Sequence, residues 1–561
     1  MIVELTPQIV TSSLVLIILS APTLTLLLSA VLLWRYRRAI IRAMDATARG
    51  HVALATSDPV RPSRDGRSRP GEANADRLYR LAVGGPWENA LRQGVAGLAF
   101  ALVFAVAARF VYPIRNDWVG FLVGVWIYLW PVVLALPLIV RGRVRLWVGW
   151  TAGYVVVYTL LGVVAASIPD IPAFTFGGVE IPARSGVTPR GMLILWLSVN
   201  AAPTFLVLVC FNRRVRAVAP LVLALVTTAI SGTWVVLLTM FSSRGADATV
   251  SVAVATAVSV YWLVLGTVVL ALAIFGAAGW ALARWIGRAY RRRGVSDQSL
   301  LLDGLWLLFA SFYTMWLALG GLRWTATAPA AFLAYKLVLA AGRRLRPATA
   351  QVGPGLTFLR VFSLGRRSDV LFEAMTRSWR HVGRVQLITG PDVALTTVQP
   401  HQFLDYLSGR LARHFVRDEV TLEERLAERE RGPDPDGRFR ISNFFCHADT
   451  WEAALRRLVD EGDAVLMDLR SFSRTNRGCT HELQHLVQHV SVDRWVLIVD
   501  TTTDRPLLER TVQDAWTELP DASPNARRSP AEMTVIPFEP DPAAWRGLLR
   551  RLCAVGLAPA S

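Results

Sequence analysis

The sequence predicts a multi-domain protein, in which a polytopic α-helical membrane bundle of about nine spans precedes a cytosolic α/β three-layer domain with a mostly parallel sheet. Apolar residues make up 53% of the 561 residues, and there are 20 tryptophans, a composition unlike that of an ordinary soluble enzyme. Apolar runs of about 17 or more residues, long enough to cross a bilayer, occur only in residues 1–346. After residue 355, short strands alternate with helices.

The first apolar run, residues 9–34, has no basic leader and no small-residue cleavage site, so we predict an uncleaved span with the N-terminus outside. Residues 35–92 form a polar loop with twelve arginines and six acidic residues. Within it, residues 56–76 are rich in Pro, Ser, Gly and charge and are predicted to be disordered. Eight more spans are predicted at residues 93–112, 118–140, 146–168, 191–211, 217–241, 250–283, 300–322 and 325–341.

The formal charge of +18 comes mostly from arginines in alternate short loops. Cytoplasmic loops carry such an excess, and moving one arginine to the bilayer centre costs roughly 2.5–3.5 kcal/mol. The pattern therefore indicates membrane topology and a lipid bilayer as partner, with no nucleic acid. It predicts an inner-membrane protein with its C-terminus in the cytoplasm. The predicted cytoplasmic loops contain residues 35–92, 141–145, 213–216, 284–293 and 343–346.

Few polar residues lie inside the predicted spans. Asp303 and Lys336 are near the cytosolic ends, where their side chains can reach the interface. Asn200 and residues 231–233 lie deeper, and helix-to-helix packing or a transport site are the two roles open to them. Lys336 is the one lysine among 60 basic residues, which favours a GC-rich, bacterial coding sequence.

Residues 347–355 are Pro/Gly-rich and predict a linker to a domain at residues 356–561. The alternation of elements predicts a parallel sheet with helices on both faces. Neither a G-x-G-x-x-G fingerprint nor a Walker A sequence is present. Strands are predicted at residues 356–362, 384–389, 438–446, 464–469, 495–500 and 533–538, and helices at 369–383, 401–431, 451–461, 479–490, 506–519 and 542–555.

Residues 463–483 are the stretch in which we expect the chemistry. A short apolar strand is followed by a loop of hydroxyls and arginines, and then by a helix whose apolar positions share one face. Glu482 lies one turn into that helix, beside its N-terminus and near the carboxyl end of a parallel strand. Open α/β sheets bind ligands in this crevice.

These residues resemble the Toll/interleukin-receptor (TIR) domain family. Residues 358–369, FLRVFSLGRRSD, are similar to the first strand and loop of that family, and residues 451–473 are similar to its helix leading into the third strand. The sequence Cys479-x-x-Glu482-Leu483 resembles the start of the following helix. Gly478 stands where the family usually has tryptophan, and an extra strand and helix lie in residues 384–431.

The resemblance implies a signalling or defence domain that binds or hydrolyses a nucleotide such as NAD and that self-associates. Glu482 matches the glutamate that cleaves the nicotinamide–ribose bond, where a carboxylate stabilises an oxocarbenium-like ribose. The alternative role for Glu482 is that of an acid favoured by the helix dipole. The residues expected to bind the ligand are Arg366, Arg470, Ser471, Ser473, Asn476 and Gly478.

Two other functions stay open at this point. The sequence His481-Glu482-x-x-His485 is an H-E-x-x-H pattern, typical of a membrane-anchored zinc hydrolase with the histidines as ligands. On the helical wheel, however, His481, His485 and His489 lie opposite the apolar face, so we expect them to face solvent or a partner. The second alternative is a transporter or channel with a regulatory cytosolic domain.

The arginine pattern makes a topological prediction. Reporter fusions after Arg145, Arg216 and Arg293 should report the cytoplasm, because each follows an arginine cluster. Fusions within residues 169–190 should report the opposite side. One inverted result among these fusions would contradict the nine-span arrangement.

Overall fold

The computed structural model describes residues 27–40, 42, 72–112, 118–140, 144–167, 174–176, 179–181, 188–210, 218–344, 353–360, 366–389, 403, 406–407, 409, 411, 415–427, 432–446, 450–539 and 541–555. Most of the first predicted span and residues 56–71 of the predicted disordered segment lie outside these ranges. The chain forms two compact units. The membrane unit comprises Met1–Tyr36, Glu88–Pro347 and Gln399–Ser408, and the sheet unit comprises Arg37–Trp87, Ala348–Val398 and Gly409–Ser561.

Eight helices in the described part of the chain are long and apolar enough to cross a membrane, and each corresponds to one of the eight spans predicted after the first. The ninth span stays a prediction. Pro131 follows a break at Leu129 that divides one of the spans into two helices. A short antiparallel pair of strands, β1 (Phe174–Phe176) and β2 (Val179–Ile181), follows the fourth helix. The helices are α1 (Glu72–Val111), α2 (Trp118–Tyr128), α3 (Trp130–Ile139), α4 (Val144–Ala166), α5 (Pro189–Cys210), α6 (Ala219–Phe241), α7 (Ser243–Thr256), α8 (Val260–Arg291), α9 (Asp297–Ala318) and α10 (Thr327–Arg344).

Two predicted boundaries in this region are wrong. Helix α1 begins at Glu72, so residues 72–92 are helical rather than part of a polar loop. The predicted span at residues 250–283 is broken, because Ala257 has a left-handed φ of 54° and Ser259 caps a new helix by accepting the Tyr261 N–H at 3.3 Å. Helix α7 therefore ends at Thr256 and α8 forms the span.

Helix α9 forms the centre of the membrane unit, with Trp306, Phe309 and Tyr313 fully buried. The Tyr313 hydroxyl donates to the Asn200 side-chain oxygen at 2.7 Å, and this amide lies 3.4 Å from the Ile127 carbonyl of α2. A hydrogen-bonded polar side chain in lipid holds neighbouring helices together. Asn200 thus joins three helices, α2, α5 and α9.

The sheet unit contains a seven-stranded sheet in which every adjacent pair is parallel, as the sequence predicts. Its strand order is β5-β6-β4-β3-β7-β8-β9. The strands are β3 (Gly355–Arg360), β4 (Arg384–Thr389), β5 (Phe415–Val416), β6 (Ile441–Cys446), β7 (Ala464–Asp468), β8 (Trp495–Val499) and β9 (Thr534–Pro537). The helices are α11 (Arg366–Trp379), α12 (Glu419–Ala427), α13 (Trp451–Glu461), α14 (Arg477–His489), α15 (Arg505–Thr517) and α16 (Pro542–Val555).

Alternate residues of the central strands enter two separate cores. Val465 and Met467 of β7 pack with helices α12 to α15 on one face, whereas Ala464 and Leu466 pack with α11 and α16 on the other. This two-residue alternation follows from strand geometry. The result is the helix–sheet–helix layering that the sequence predicts. The core on the α11/α16 face also contains Ala82 of helix α1.

The prediction of one long helix over residues 401–431 is wrong. Phe415–Val416 forms the edge strand β5, paired with β6, and α12 covers Glu419–Ala427. Asp418 ends the strand segment by accepting the Thr421 N–H at 2.8 Å, which starts the helix. Both strand residues are buried, so tertiary pairing overrides the helical pattern of the surrounding charged sequence.

Asn525 closes the carboxyl end of α14. Its amide donates to the Val487 and Val490 carbonyls at 2.7 and 2.8 Å, and its oxygen accepts the Val492 N–H at 3.0 Å. The side chain is fully buried. One residue thus bonds three backbone groups at this helix end, of which the Val490 carbonyl also accepts from the Trp495 indole N–H at 3.1 Å.

We predict that Asn525→Ala lowers the free energy of unfolding of the sheet unit by about 2–4 kcal/mol, because it leaves buried backbone groups unpaired. The measurement is the urea concentration at which the buried Cys479 thiol becomes reactive, followed by mass spectrometry. Asp521→Ala, at an exposed position of the same loop, is the control. Equal midpoints for both variants would contradict the role given to Asn525.

Candidate functional site

The candidate site lies at the carboxyl ends of β3 and β7. From β3 the chain continues to β4 on one side, and from β7 it continues to β8 on the other, so the strand order reverses between β3 and β7. A crevice forms at such a point in open parallel sheets. The last residues of the two strands, Arg360 and Asp468, are register partners and both are buried.

Asp468 holds Arg470 in a bidentate ion pair. The guanidinium Nε and Nη2 atoms donate to the two carboxylate oxygens at 2.8 and 2.7 Å, and both side chains are buried. The guanidinium also lies 5.8 Å from the ring centroid of Phe538. Two parallel hydrogen bonds fix the planar group firmly. Arg470 therefore anchors the start of the loop, and its assignment as a ligand-binding residue stays a prediction.

Ser471 is joined by hydroxyl groups to the loop after β8. Its N–H donates to Thr502 Oγ1 at 3.0 Å, the two hydroxyl oxygens are 3.0 Å apart, and the Thr502 hydroxyl donates to Asp500 at 2.6 Å. Ser471 has a φ of 58°, a left-handed conformation that is rare for serine and typical of strained functional loops. Sequence reasoning missed Thr502 and Asp500, although three consecutive threonines follow strand β8.

Ser473 and Asn476 form a turn with each other. The Ser473 N–H and hydroxyl both donate to the Asn476 side-chain oxygen, at 2.9 and 3.0 Å. Asn476 precedes α14 without accepting a helix N–H through its side chain, and a Cβ added to Gly478 would meet no atom within 4 Å. The first turn of α14 is thus open. Arg366 is the first residue of α11, and its side chain lies outside the described residues.

Glu482 is the most unusual group of the site, because it is a carboxylic acid with 1% of its surface exposed. Its Oε2 atom is buried without a hydrogen-bond partner. Burial disfavours the charged form and raises the pKa of Glu482 to about 8. Cys479, one turn earlier, holds this part of the helix against β3 through a 3.6 Å contact from its sulfur to the Arg360 carbonyl oxygen.

The prediction that the three histidines of α14 face solvent is wrong for His485. His481 is half-buried and lies 3.8 Å from Glu452, whereas His485 is 9% exposed, with its Nε2 atom buried and unpartnered. Burial, with smaller effects from nearby positive groups, lowers the pKa of His485 to about 3. Helix α13 packs beside α14 and brings Trp451 against His481. The buried face of α14 is therefore wider than the face formed by its apolar residues.

The zinc alternative gains no support from the geometry. Among the described residues, no group of three or more His, Cys, Asp or Glu side chains is placed to hold a metal ion. A zinc site needs at least three protein ligands around one point. His481 and His485 instead occupy different environments, one at the surface and one in the protein interior.

Comparison of the chain with protein-family profiles, curated proteins and solved structures gives no match. Its function is therefore inferred from the residues of this site and from the pattern of membrane helices.

The raised pKa of Glu482 predicts a pH-dependent stability. The acid is neutral in the folded protein up to about pH 8, whereas it ionises near pH 4.5 when unfolded, so stability decreases as pH rises between these values. The full effect is roughly 4–5 kcal/mol. Glu482→Gln cannot ionise and should remove this dependence.

The measurement is the rate of Cys479 modification in the full-length protein. The ratio of the wild-type rate to the Glu482→Gln rate should increase at least about tenfold from pH 5 to pH 8. Each ratio compares proteins at one pH, so the intrinsic reactivity of thiols cancels. Glu518→Gln, at an exposed position, is the control, and the ratio of the wild-type rate to its rate should not change with pH. If the ratio of the wild-type rate to the Glu482→Gln rate also stays constant with pH, the folded protein tolerates the Glu482 charge and the prediction is wrong.

Proposed function

We propose that this chain is a multi-pass inner-membrane signalling or defence protein whose C-terminal domain is TIR-like and flavodoxin-like, and that this domain binds NAD and cleaves its nicotinamide–ribose bond. The observation that carries the proposal is the buried carboxyl of Glu482, with one unpartnered oxygen, on the helix that follows the strand-order reversal. Perturbed, unpaired acids in such crevices are typical of functional sites.

The strand order supports the fold assignment. When the added strands β5 and β6 are set aside, the sheet reads β4-β3-β7-β8-β9, which is the order 2-1-3-4-5 of flavodoxin-like domains. In that order the crevice lies between the first and third strands, which here are β3 and β7. Glu482 follows β7, and Cys479 ties its helix to the end of β3.

In the proposed reaction, the bond between ribose C1′ and the nicotinamide nitrogen breaks, and its electron pair leaves with nicotinamide. The ribose becomes an oxocarbenium-like cation, which the Glu482 carboxylate stabilises. Water then adds to C1′ and releases a proton, which gives ADP-ribose. Glu482 must be ionised for this role, and the positive charge of bound NAD beside it favours ionisation.

Two observations support an orientation with the sheet unit in the cytoplasm. Residues Arg37–Trp87 and the C-terminal residues belong to one compact unit, which supports a location of both on one side of the membrane. The described chain between them contains eight membrane-length helices, and an even number of crossings returns the chain to that side. This side carries the arginine-rich loops, as cytoplasmic sides do.

The test is release of nicotinamide from NAD by the full-length protein in lipid nanodiscs. Glu482→Gln should lower kcat/KM by about 100-fold or more, equivalent to about 2.7 kcal/mol of transition-state stabilisation. Wild-type kcat/KM should rise with pH towards about pH 8, because the ionised fraction of Glu482 increases.

His481→Ala is the matched control, because the half-buried His481 occupies the adjacent position of the same helix. It should retain activity under the proposed mechanism and lose it in a zinc enzyme. If the wild-type protein binds NAD without releasing nicotinamide at concentrations that favour self-association, hydrolysis is excluded and the domain is a binding module.

A further inference from the structure

The first part of helix α1, residues 72–87, belongs to the sheet unit, although all the other described membrane helices lie between it and strand β3 in sequence. From Glu88 onward the same helix belongs to the membrane unit. We call residues 72–87 the cover segment. Its apolar residues Leu78, Leu81, Ala82 and Gly85 are three or four positions apart and therefore share one helix face.

This helix face packs on the α11/α16 side of the sheet. Ala82 is fully buried in the same core as Phe358 of β3 and Leu552 of α16. Leu78, Tyr79 and Leu81 are partly buried against that core. The Arg550 guanidinium of α16 lies 5.0 Å from the ring centroid of Tyr79, a cation–π contact.

The closest approach is at Gly85. A Cβ added there would lie 2.6 Å from Cγ and Nδ1 of His381, at the base of a side chain that follows α11. A Cβ added to the neighbouring Gly84 would meet no atom within 4 Å. The helix backbone can therefore rest against His381 because residue 85 has no side chain.

The cover segment also has features of a contact that can open. Its buried residues Ala82, Gly85 and Pro86 are small, and the larger side chains of Leu78, Tyr79 and Leu81 are only partly buried. The sequence Gly84-Gly85-Pro86 lies inside the helix, where two glycines and a proline weaken the helical backbone. The core on the opposite face of the sheet contains no residue of the cover segment.

We infer that residues 72–87 are a detachable helical cover, and that the α11/α16 face of the sheet unit is an interaction surface for an amphipathic helix, supplied here by the chain itself. Release of the cover exposes this face while the opposite core stays folded. The inference does not depend on the proposed NAD chemistry.

Two native cysteines report on the two cores. Cys553 is buried in the core that contains Ala82, and Cys446 is buried in the opposite core. Both thiols are buried, so each reacts only when its own core opens. A change in the ratio of their labelling rates therefore reports exposure of one face rather than unfolding of the whole domain.

The experiment labels the full-length protein in lipid nanodiscs with a thiol reagent at constant pH and measures each cysteine by mass spectrometry. Gly85→Leu places a side chain against His381, and we expect Cys553 to react about tenfold faster while Cys446 keeps its wild-type rate. Gly84→Leu is the matched control, since it adds the same side chain to the same helix in open space. It should leave both rates unchanged.

Tyr79→Ala provides a second variant that introduces no steric clash. It removes the contact with Arg550 and should also raise the labelling rate of Cys553, by a smaller factor than Gly85→Leu does. The inference is overturned if Cys553 keeps its wild-type rate in both Gly85→Leu and Tyr79→Ala. It is equally overturned if Cys446 becomes reactive together with Cys553, or if Gly84→Leu has the same effect as Gly85→Leu.

Discussion

The sheet unit depends on one constraint, which is that a parallel sheet with apolar residues on both faces must be covered on both faces. Every residue of β3, β7 and β8 is buried. Helices α12 to α15 cover one side, and α11 and α16 cover the other together with the cover segment. Residues 72–87 belong to this unit because the apolar strand residues on the α11/α16 face need packing partners in addition to those two helices.

Local sequence patterns predict much of the sheet unit because its elements are short and strongly periodic. The strand Arg384–Thr389 and the helices Trp451–Glu461 and Pro542–Val555 have the bounds predicted from alternation and helical spacing. Two features escape such patterns. The cover segment has its partner far away in the sequence, and Phe415–Val416 is too short to register as a strand among charged residues. The burial of His485 likewise depends on a neighbouring helix, and a helical-wheel projection of α14 alone cannot show that helix.

The same distinction applies to the candidate site. The strand, loop and helix around Glu482 follow from apolar runs and turn residues, so their order was predictable. The links from Ser471 through Thr502 to Asp500 join two loops that only the sheet register brings together. The pairing of Arg470 with Asp468 also needs three-dimensional information, since the sequence shows an arginine in a polar loop but not its acceptor.

The burial of Glu482 also affects when its charged form exists. A buried acid with a pKa of about 8 is mostly neutral near pH 7, so the domain without substrate bears little uncompensated charge at this point. In the proposed reaction, the cationic substrate is what makes the carboxylate form favourable. The carboxylate form, which the reaction needs, is then populated mainly when the cationic substrate is bound.

The cover segment also sets an order of assembly during synthesis. Residues 72–87 leave the ribosome before the other described membrane helices, and the strands that they contact leave after them. Contacts between such distant parts of a chain form late, because the intervening loop must be closed first. The second core of the sheet unit is therefore completed only after the membrane helices have been made, so a chain that stops early in translation cannot contain a finished sheet unit.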